Sequence, residues 1–170
     1  MARGMLVTLI EVSVTAITRV LVATDLSPAS NAAVAYGFDL AARLGASVHL
    51  LHVIEEWALT ATYLHALDIE LPGLRERVID DAAGTLRTLA ASMAGGRTAT
   101  TTDVREGRPA DVIVDVARNG KADLIVVGTH GRSGVAHAVL GSVAERVVRT
   151  APCPVLTVRD THAQPMKGEP

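Results

Sequence analysis

Apolar and polar positions follow two rhythms that take turns along the chain. Short runs rich in Val, Leu and Ile occupy residues 18–24 (T-R-V-L-V-A-T), Ser47–Ile54, residues 124–127 and Val155–Val158, and a threonine-rich, β-favouring run covers residues 99–104. The Ser47–Ile54 run is nearly continuous in apolar residues, as expected of a strand covered on both faces. Between these runs the apolar positions recur with helical period. Ala33, Gly37, Leu40, Ala41 and Leu44 share one face of a helix that Ser27-Pro28 opens and Gly45 stops. Leu74, Val78, Ala82, Leu86, Leu89 and Met93 do the same over residues 74–93, closed by Gly95-Gly96. A third helix begins at Pro109, turns Val112, Ile113, Val116 and Ala117 inward and ends at Gly120, and a fourth runs over residues 142–150 until Pro152. Residues 55–73, with Trp57, Tyr63, His65 and Pro72, predict an irregular or partly helical excursion.

Five strands separated by helices, with crossovers long enough for right-handed βαβ units, predict an α/β fold: an open parallel five-stranded sheet with helices on both faces. Ligands of such sheets sit outside the carboxyl ends of the strands, where the strand order reverses. No repeat recurs, so residues 18–159 read as one domain, preceded by an extension over residues 1–17 and followed by a polar tail over residues 160–170.

Composition narrows the chemistry. A chain of 170 residues buries about 70% of its unfolded surface and needs neither disulfide nor metal to fold. Aromatic residues make up only 2% of it, so the core must be Val, Leu, Ile and Ala. A net charge of −2 with dispersed arginines offers no basic stripe, which argues against nucleic acid as the main ligand. The single cysteine, Cys153 between Pro152 and Pro154, has no intramolecular partner; it reads as a small hydrophobe in a reducing, cytoplasmic setting. No apolar run reaches about 18 residues, so no membrane span is expected. The apolar start, Met5 to Ile10, is broken early by Glu11 and reads as an extra edge strand or a frayed extension rather than a signal peptide.

The most informative segment follows the fourth strand: G-T-H-G-R-S-G-V-A-H-A-V-L-G-S, from Gly128 to Ser142. Glycines let backbone N–H groups converge on an anion, and Gly141-Ser142 opens a helix whose first amides are unpaired and carry partial positive charge. Gly128, Gly131 and Gly141 allow the close approach; Ser142 offers hydroxyl and amide, with Val143 next to it. Thr129 and Ser133 contribute amides, and Arg132 and His130 either reach the phosphates or face water. A long surface loop with glycines at its turns is the bland alternative.

This Gly-two-Gly-nine-Gly-Ser pattern resembles the universal stress protein family, in its nucleotide-binding branch, and the resemblance extends over residues 18–159. It implies a Rossmann-like sheet of order 3-2-1-4-5, with a crevice between the first and fourth strands. Ala23, Thr24 and Asp25 (in V-A-T-D-L-S) end the first strand; the family carries an acidic residue there that faces the adenosine part of the ligand, whereas by itself Asp25 could be a turn residue. His52-Val53-Ile54 matches the family's L-H-V-I, which implies that the backbone at Val53 lies against adenine; His52 reads as structural. Gly107, in R-E-G-R-P, is a further landmark that shapes a turn. The family's fifth strand pairs with its counterpart in a second subunit, so a homodimer through Val155–Val158 is implied, an ordinary edge strand being the alternative.

Several signatures are missing. There is no G-x-x-x-x-G-K-[ST], no G-x-G-x-x-G after the first strand and no cluster with metal-ligand spacing. Any Mg²⁺ or Mn²⁺ would therefore ride on the phosphates of ATP with water ligands. No general base stands beside the loop. The expectation is an ATP-binding regulator of the stress response rather than an enzyme, with a slow ATPase or an autophosphorylating protein as the alternative.

Overall fold

The computed structural model of the chain describes residues 16–55, 73–129 and 140–159. Five strands are described, β1 (Arg19–Thr24), β2 (Ser47–Ile54), β3 (Thr100–Glu106), β4 (Leu124–Gly128) and β5 (Val155–Val158), together with helices α1 (Asn31–Leu44), α2 (Leu74–Ala94), α3 (Pro109–Asn119) and α4 (Ser142–Thr150). A short 3₁₀ turn, Pro28–Ser30, leads into α1. The sheet is wholly parallel in the order β3-β2-β1-β4-β5.

β1 lies at the centre, with Val20 to Thr24 buried. Its side chains alternate between two cores, because successive residues of a strand point to opposite faces. Val20 and Val22, with Val48, Leu50 and Val126, pack under α1 and α2, among them Val34, Phe38, Leu86 and Ala90. Leu21 and Ala23, with Leu51, Val53 and Ile125, pack under α3 and α4, against Ile113, Ala117 and Val147. The lower end of β1 is pinned from the α3–β4 turn: one carboxylate oxygen of Asp123 accepts the Thr18 and Arg19 amides at 2.9 Å each and the Thr18 hydroxyl at 2.8 Å. These bonds hold the Asp123 carboxyl below the usual carboxylate range.

The helix faces differ from the sequence reading. In α1 the buried stripe is Ala33, Val34, Gly37, Phe38 and Ala41. Leu40 is half-buried and Leu44 exposed, since the last turn has run past the packed part of the sheet. In α2 only Leu86 and Ala90 are buried, and Leu74, Val78 and Ala82 are half-buried, because this helix overlies the edge strand β3. In α3, Ala110 and Val114 are buried with Ile113 and Ala117, while Val112 and Val116 are half-buried. β3 also runs two residues further than residue 104, since Arg105 and Glu106 stay in register with Val53 and Ile54. Polar side chains are tolerated there: Arg105 meets Asp103 at 2.8 Å, and Glu106 meets Arg75 of α2 at 2.6 Å. Gly107 then turns the chain with φ 137°, its amide donating to the Ile54 carbonyl. Cys153 is half-buried beside the second core, and desolvation raises its thiol pKa.

Candidate functional site

The strand order creates the site. From β1 the chain leaves through α1 over one face of the sheet, whereas from β4 it leaves through α4 over the other, so the two exits diverge and leave a crevice at the strand tips. Ala23 pairs with Val127, which puts Thr24 beside Gly128 at the floor of that crevice.

The β1 tip is braced by side chains. The Ser30 hydroxyl donates to the Ser27 carbonyl at 2.8 Å, so in the 2.8 Å contact between Ser30 and buried Thr24 the Thr24 hydroxyl is the donor. Thr24 Oγ1 in turn accepts the Leu26 amide at 3.0 Å. Leu26 adopts φ 61°, a left-handed conformation that costs a residue with a side chain roughly 1–2 kcal/mol, so these bonds hold a strained bend. Asp25 Oδ1 accepts both the amide (3.0 Å) and the hydroxyl (2.6 Å) of Ser27. Asp25 therefore does act as a turn residue, and Ser27, though it stands at the cap position, spends its hydroxyl on Asp25 instead of on the helix. His52 is buried, and because a carbonyl only accepts, its Nδ1–H donates to the Thr24 carbonyl at 2.9 Å, tying the tips of β2 and β1 together. Val53, buried at the end of β2, lies one strand further out.

The β4 side is built by closure of a loop. The amide of buried Thr129 donates to the Val158 carbonyl at 2.9 Å, and its carbonyl accepts the Gly141 amide at 2.8 Å. Both amides are spent within the protein, so neither Thr129 nor Gly141 offers its N–H to a ligand. Gly141 is needed for close approach: a Cβ there would lie 3.0 Å from the Thr129 carbonyl oxygen. Gly141 is also the cap residue of α4, whose first intrahelical bond runs from the Glu145 amide to the Gly141 carbonyl at 2.9 Å. The amides of Ser142, Val143 and Ala144 precede that bond and have no partner within the helix. Amides at such a helix start suit an anion.

Thr24, Asp25, Gly128, Thr129, Gly141 and Ser142 are thus gathered around the tips of β1 and β4, with Val143 beside them and Val53 at the neighbouring tip. His130, Gly131, Arg132 and Ser133 lie outside the described residues. The sequence reading missed two residues. A cavity of about 190 Å³ at the start of α4 is lined by Ser142 and Val143 and also by Arg108, Pro109, Ala110 and Arg146. Arg146 follows Ser142 by four residues, a spacing that already puts them on one helix face; Arg108 arrives only through the packing of α3 against α4.

A larger cavity, about 680 Å³, opens at the opposite end of the sheet between α3 and strands β2 and β3. Several of its polar groups are already engaged: His49 Nδ1 lies 2.8 Å from the Thr101 hydroxyl, Asp103 pairs with Arg105, and Glu106 pairs with Arg75 outside the cavity. His49 Nε2 is buried with no hydrogen-bond partner, 3.9 Å from Asp103, and desolvation lowers the His49 pKa against the opposing pull of Asp103. Size alone does not make this a nucleotide site, since no helix begins there to present free amides. Among the described residues no group of three or more His, Cys, Asp or Glu could hold a metal ion, and no helix is long and apolar enough to cross a membrane.

Comparison with known proteins gives the same fold. The model of the universal stress protein family matches residues 16–159. A universal stress protein of Mycolicibacterium smegmatis is 34% identical over 147 residues, covering 82% of this chain; the match spans only 45% of that relative, less than half the length of the curated protein. The solved structure of the universal stress protein UspA from Lactobacillus plantarum superposes with a TM-score of 0.67 at 28% identity, covering 85% of this chain and 99% of that one. A solved universal stress protein in complex with cAMP, also 28% identical, gives a TM-score of 0.56 over 85% of this chain and 98% of its own.

Proposed function

The chain belongs to the universal stress protein family, and we propose that it is an adenine-nucleotide-binding member whose ligand is ATP, held in the crevice between the tips of β1 and β4. The observation that carries this reading is the bond between Gly141 and Thr129. The bond from the Gly141 amide to the Thr129 carbonyl sets the start of α4 beside the end of β4, so its three unpaired amides stand at the crevice mouth. A phosphate fits these donors. Ser142 and Val143 hold it, assisted by the loop residues His130, Gly131, Arg132 and Ser133, while Gly128, Ala23 and Thr24 shape the floor. The Asp25 carboxylate turns toward the ribose and the backbone at Val53 toward adenine. The complex of a 28%-identical relative with cAMP supports an adenine nucleotide as the ligand class. Mg²⁺ or Mn²⁺, when bound, screens phosphate charge and is carried by the phosphates and water.

In this reading ATP occupancy biases the conformation or partner choice of a cytoplasmic stress-response regulator. Such a switch needs differential affinity, about 1.4 kcal/mol for a tenfold bias. The outer edge of β5, unpaired among the described residues at the end of the sheet, supports a homodimer through Val155–Val158. Mass spectrometry of an acid extract from freshly purified protein, followed by calorimetry of the stripped protein with ATP, tests the reading. Copurifying adenine nucleotide and heat of ATP binding are expected. Absence of nucleotide, and of heat with ATP, AMP and cAMP alike, would refute it.

A further inference from the structure

We propose that Arg108 and Arg146 make this site select nucleotides with a polyphosphate tail over AMP and cyclic nucleotides; the inference rests on the nucleotide reading above and adds to it the length of the phosphate chain. A di- or triphosphate brings several negative charges into a corner that has no lysine among the described residues. The chain holds only two, Lys121 in the turn before β4, at the opposite end of the sheet from the crevice, and Lys167 near the C-terminus. Neutralisation of a tail therefore falls to arginine, whose planar fork suits phosphate oxygens.

The packing of α3 against α4 supplies two. Arg108 is the cap residue of α3, with extended backbone (φ −79°, ψ 118°); it is exposed and makes no ion pair among the described residues. Arg146 sits one turn into α4 and meets Asp111, in the first turn of α3, at 2.7 Å. Both line the small cavity that Ser142 and Val143 open onto. One contact to Asp111 leaves most of the five Arg146 donors unused, so Asp111 aims the guanidinium rather than consuming it. The Asp111 carboxylate itself repels an anion, so Arg108, Arg146 and Asp111 together leave a single net positive charge, reinforced by the starts of two helices, α3 and α4. Glu145, also in the first turn of α4, is drawn off to Arg149 at 2.6 Å. A lone phosphate is met by the α4 amides and the glycine-rich segment, whereas a longer tail also reaches Arg108 and Arg146.

The test is calorimetry of the full chain with ATP, ADP, AMP and adenosine at low and high salt, for the wild type and for Arg108→Gln, Arg108→Lys and Arg108→Glu. Arg108 is exposed and has no ion pair among the described residues, so these variants should melt with the wild type. ATP should weaken about fivefold in Arg108→Gln and more in Arg108→Glu, with AMP and adenosine within about twofold. Arg108→Lys should recover most of the loss, and the salt dependence of ATP binding should flatten in Arg108→Gln. Wild-type protein that binds AMP as tightly as ATP, or an Arg108→Gln variant that loses ATP and AMP equally or loses neither, would overturn the inference while leaving the site intact. Wild-type protein that binds none of the four would instead remove the site, and the inference with it.

Discussion

Replacing Gly141 with alanine tests the site at the point where the loop closes. Gly141 has φ −68° and ψ 153°, extended backbone open to any residue, so the substitution carries no conformational penalty of its own. What it adds is a Cβ 3.0 Å from the Thr129 carbonyl oxygen, nearer than the roughly 3.5 Å optimum for nonbonded heavy atoms. That oxygen has little room to retreat. It already accepts the Gly141 amide at 2.8 Å, and the Thr129 amide is tied to β5 at 2.9 Å. Relief comes from lengthening the closing bond, whose net worth is about 1 kcal/mol. If the bond preorganises the first amides of α4, its loss raises the dissociation constant for ATP by about fivefold. The same free energy lowers the melting temperature of a domain this size by about 2–4 °C. Gly141→Val, with two further methyl groups against the same oxygen, should exceed both effects. Calorimetry with ATP and thermal melts in the absence of nucleotide measure the two quantities on the same samples. Unchanged affinity and unchanged melting in Gly141→Val would refute the reasoning, because the contact would then be neither tight nor coupled to the site.

Asp25→Asn keeps the Oδ1 acceptor of the Ser27 turn but removes the charge; the proposed contact to ribose requires ATP and adenosine to weaken by the same factor, about three- to tenfold, in parallel titrations. His49 binds its proton less readily in the fold than in the unfolded chain, where it titrates near 6.5. The unfolded state therefore gains protons first as pH falls, and stability should decline below about pH 6.5, less steeply in His49→Gln, as followed by urea unfolding between pH 7.5 and roughly 5.5. In β5, the carbonyls of Pro154 and Val158 point inward to Ile125 and Thr129 at 3.0 and 2.9 Å, so alternation turns the amides of Val155 and Thr157 outward. Thr157→Pro should abolish the proposed dimer while sparing the sheet; a wild type that sediments only as monomer, or a sedimenting dimer in that variant, would remove β5 as the interface.

Much of this could be read in the chain itself, because it rests on local periodicity. The boundaries of β2, α4 and β5 match the expected ones, since Gly45, Gly141, Pro152 and Pro154 punctuate them. The parallel order of the strands and the meeting of Thr24 with Gly128 were also accessible, through βαβ chirality and a family pattern carried by glycine spacing. Helix faces were less legible: Leu44 and Val78 satisfy the helical period but lie where the sheet offers them little surface, and Phe38 and Val114 are buried off the expected stripe.

What only the tertiary structure decided is how the site's hydrogen bonds are spent. Thr129 and Gly141 are twelve positions apart, and nothing in composition says that their amides face protein instead of ligand. Nor does any local pattern carry Arg108 to Arg146, residues brought together by α3 lying against α4. Periodicity and turn chemistry act over a few residues, so the chain alone determines its elements and their punctuation. Which donor meets which acceptor depends on groups far apart in sequence, and only the packed fold assigns those pairs.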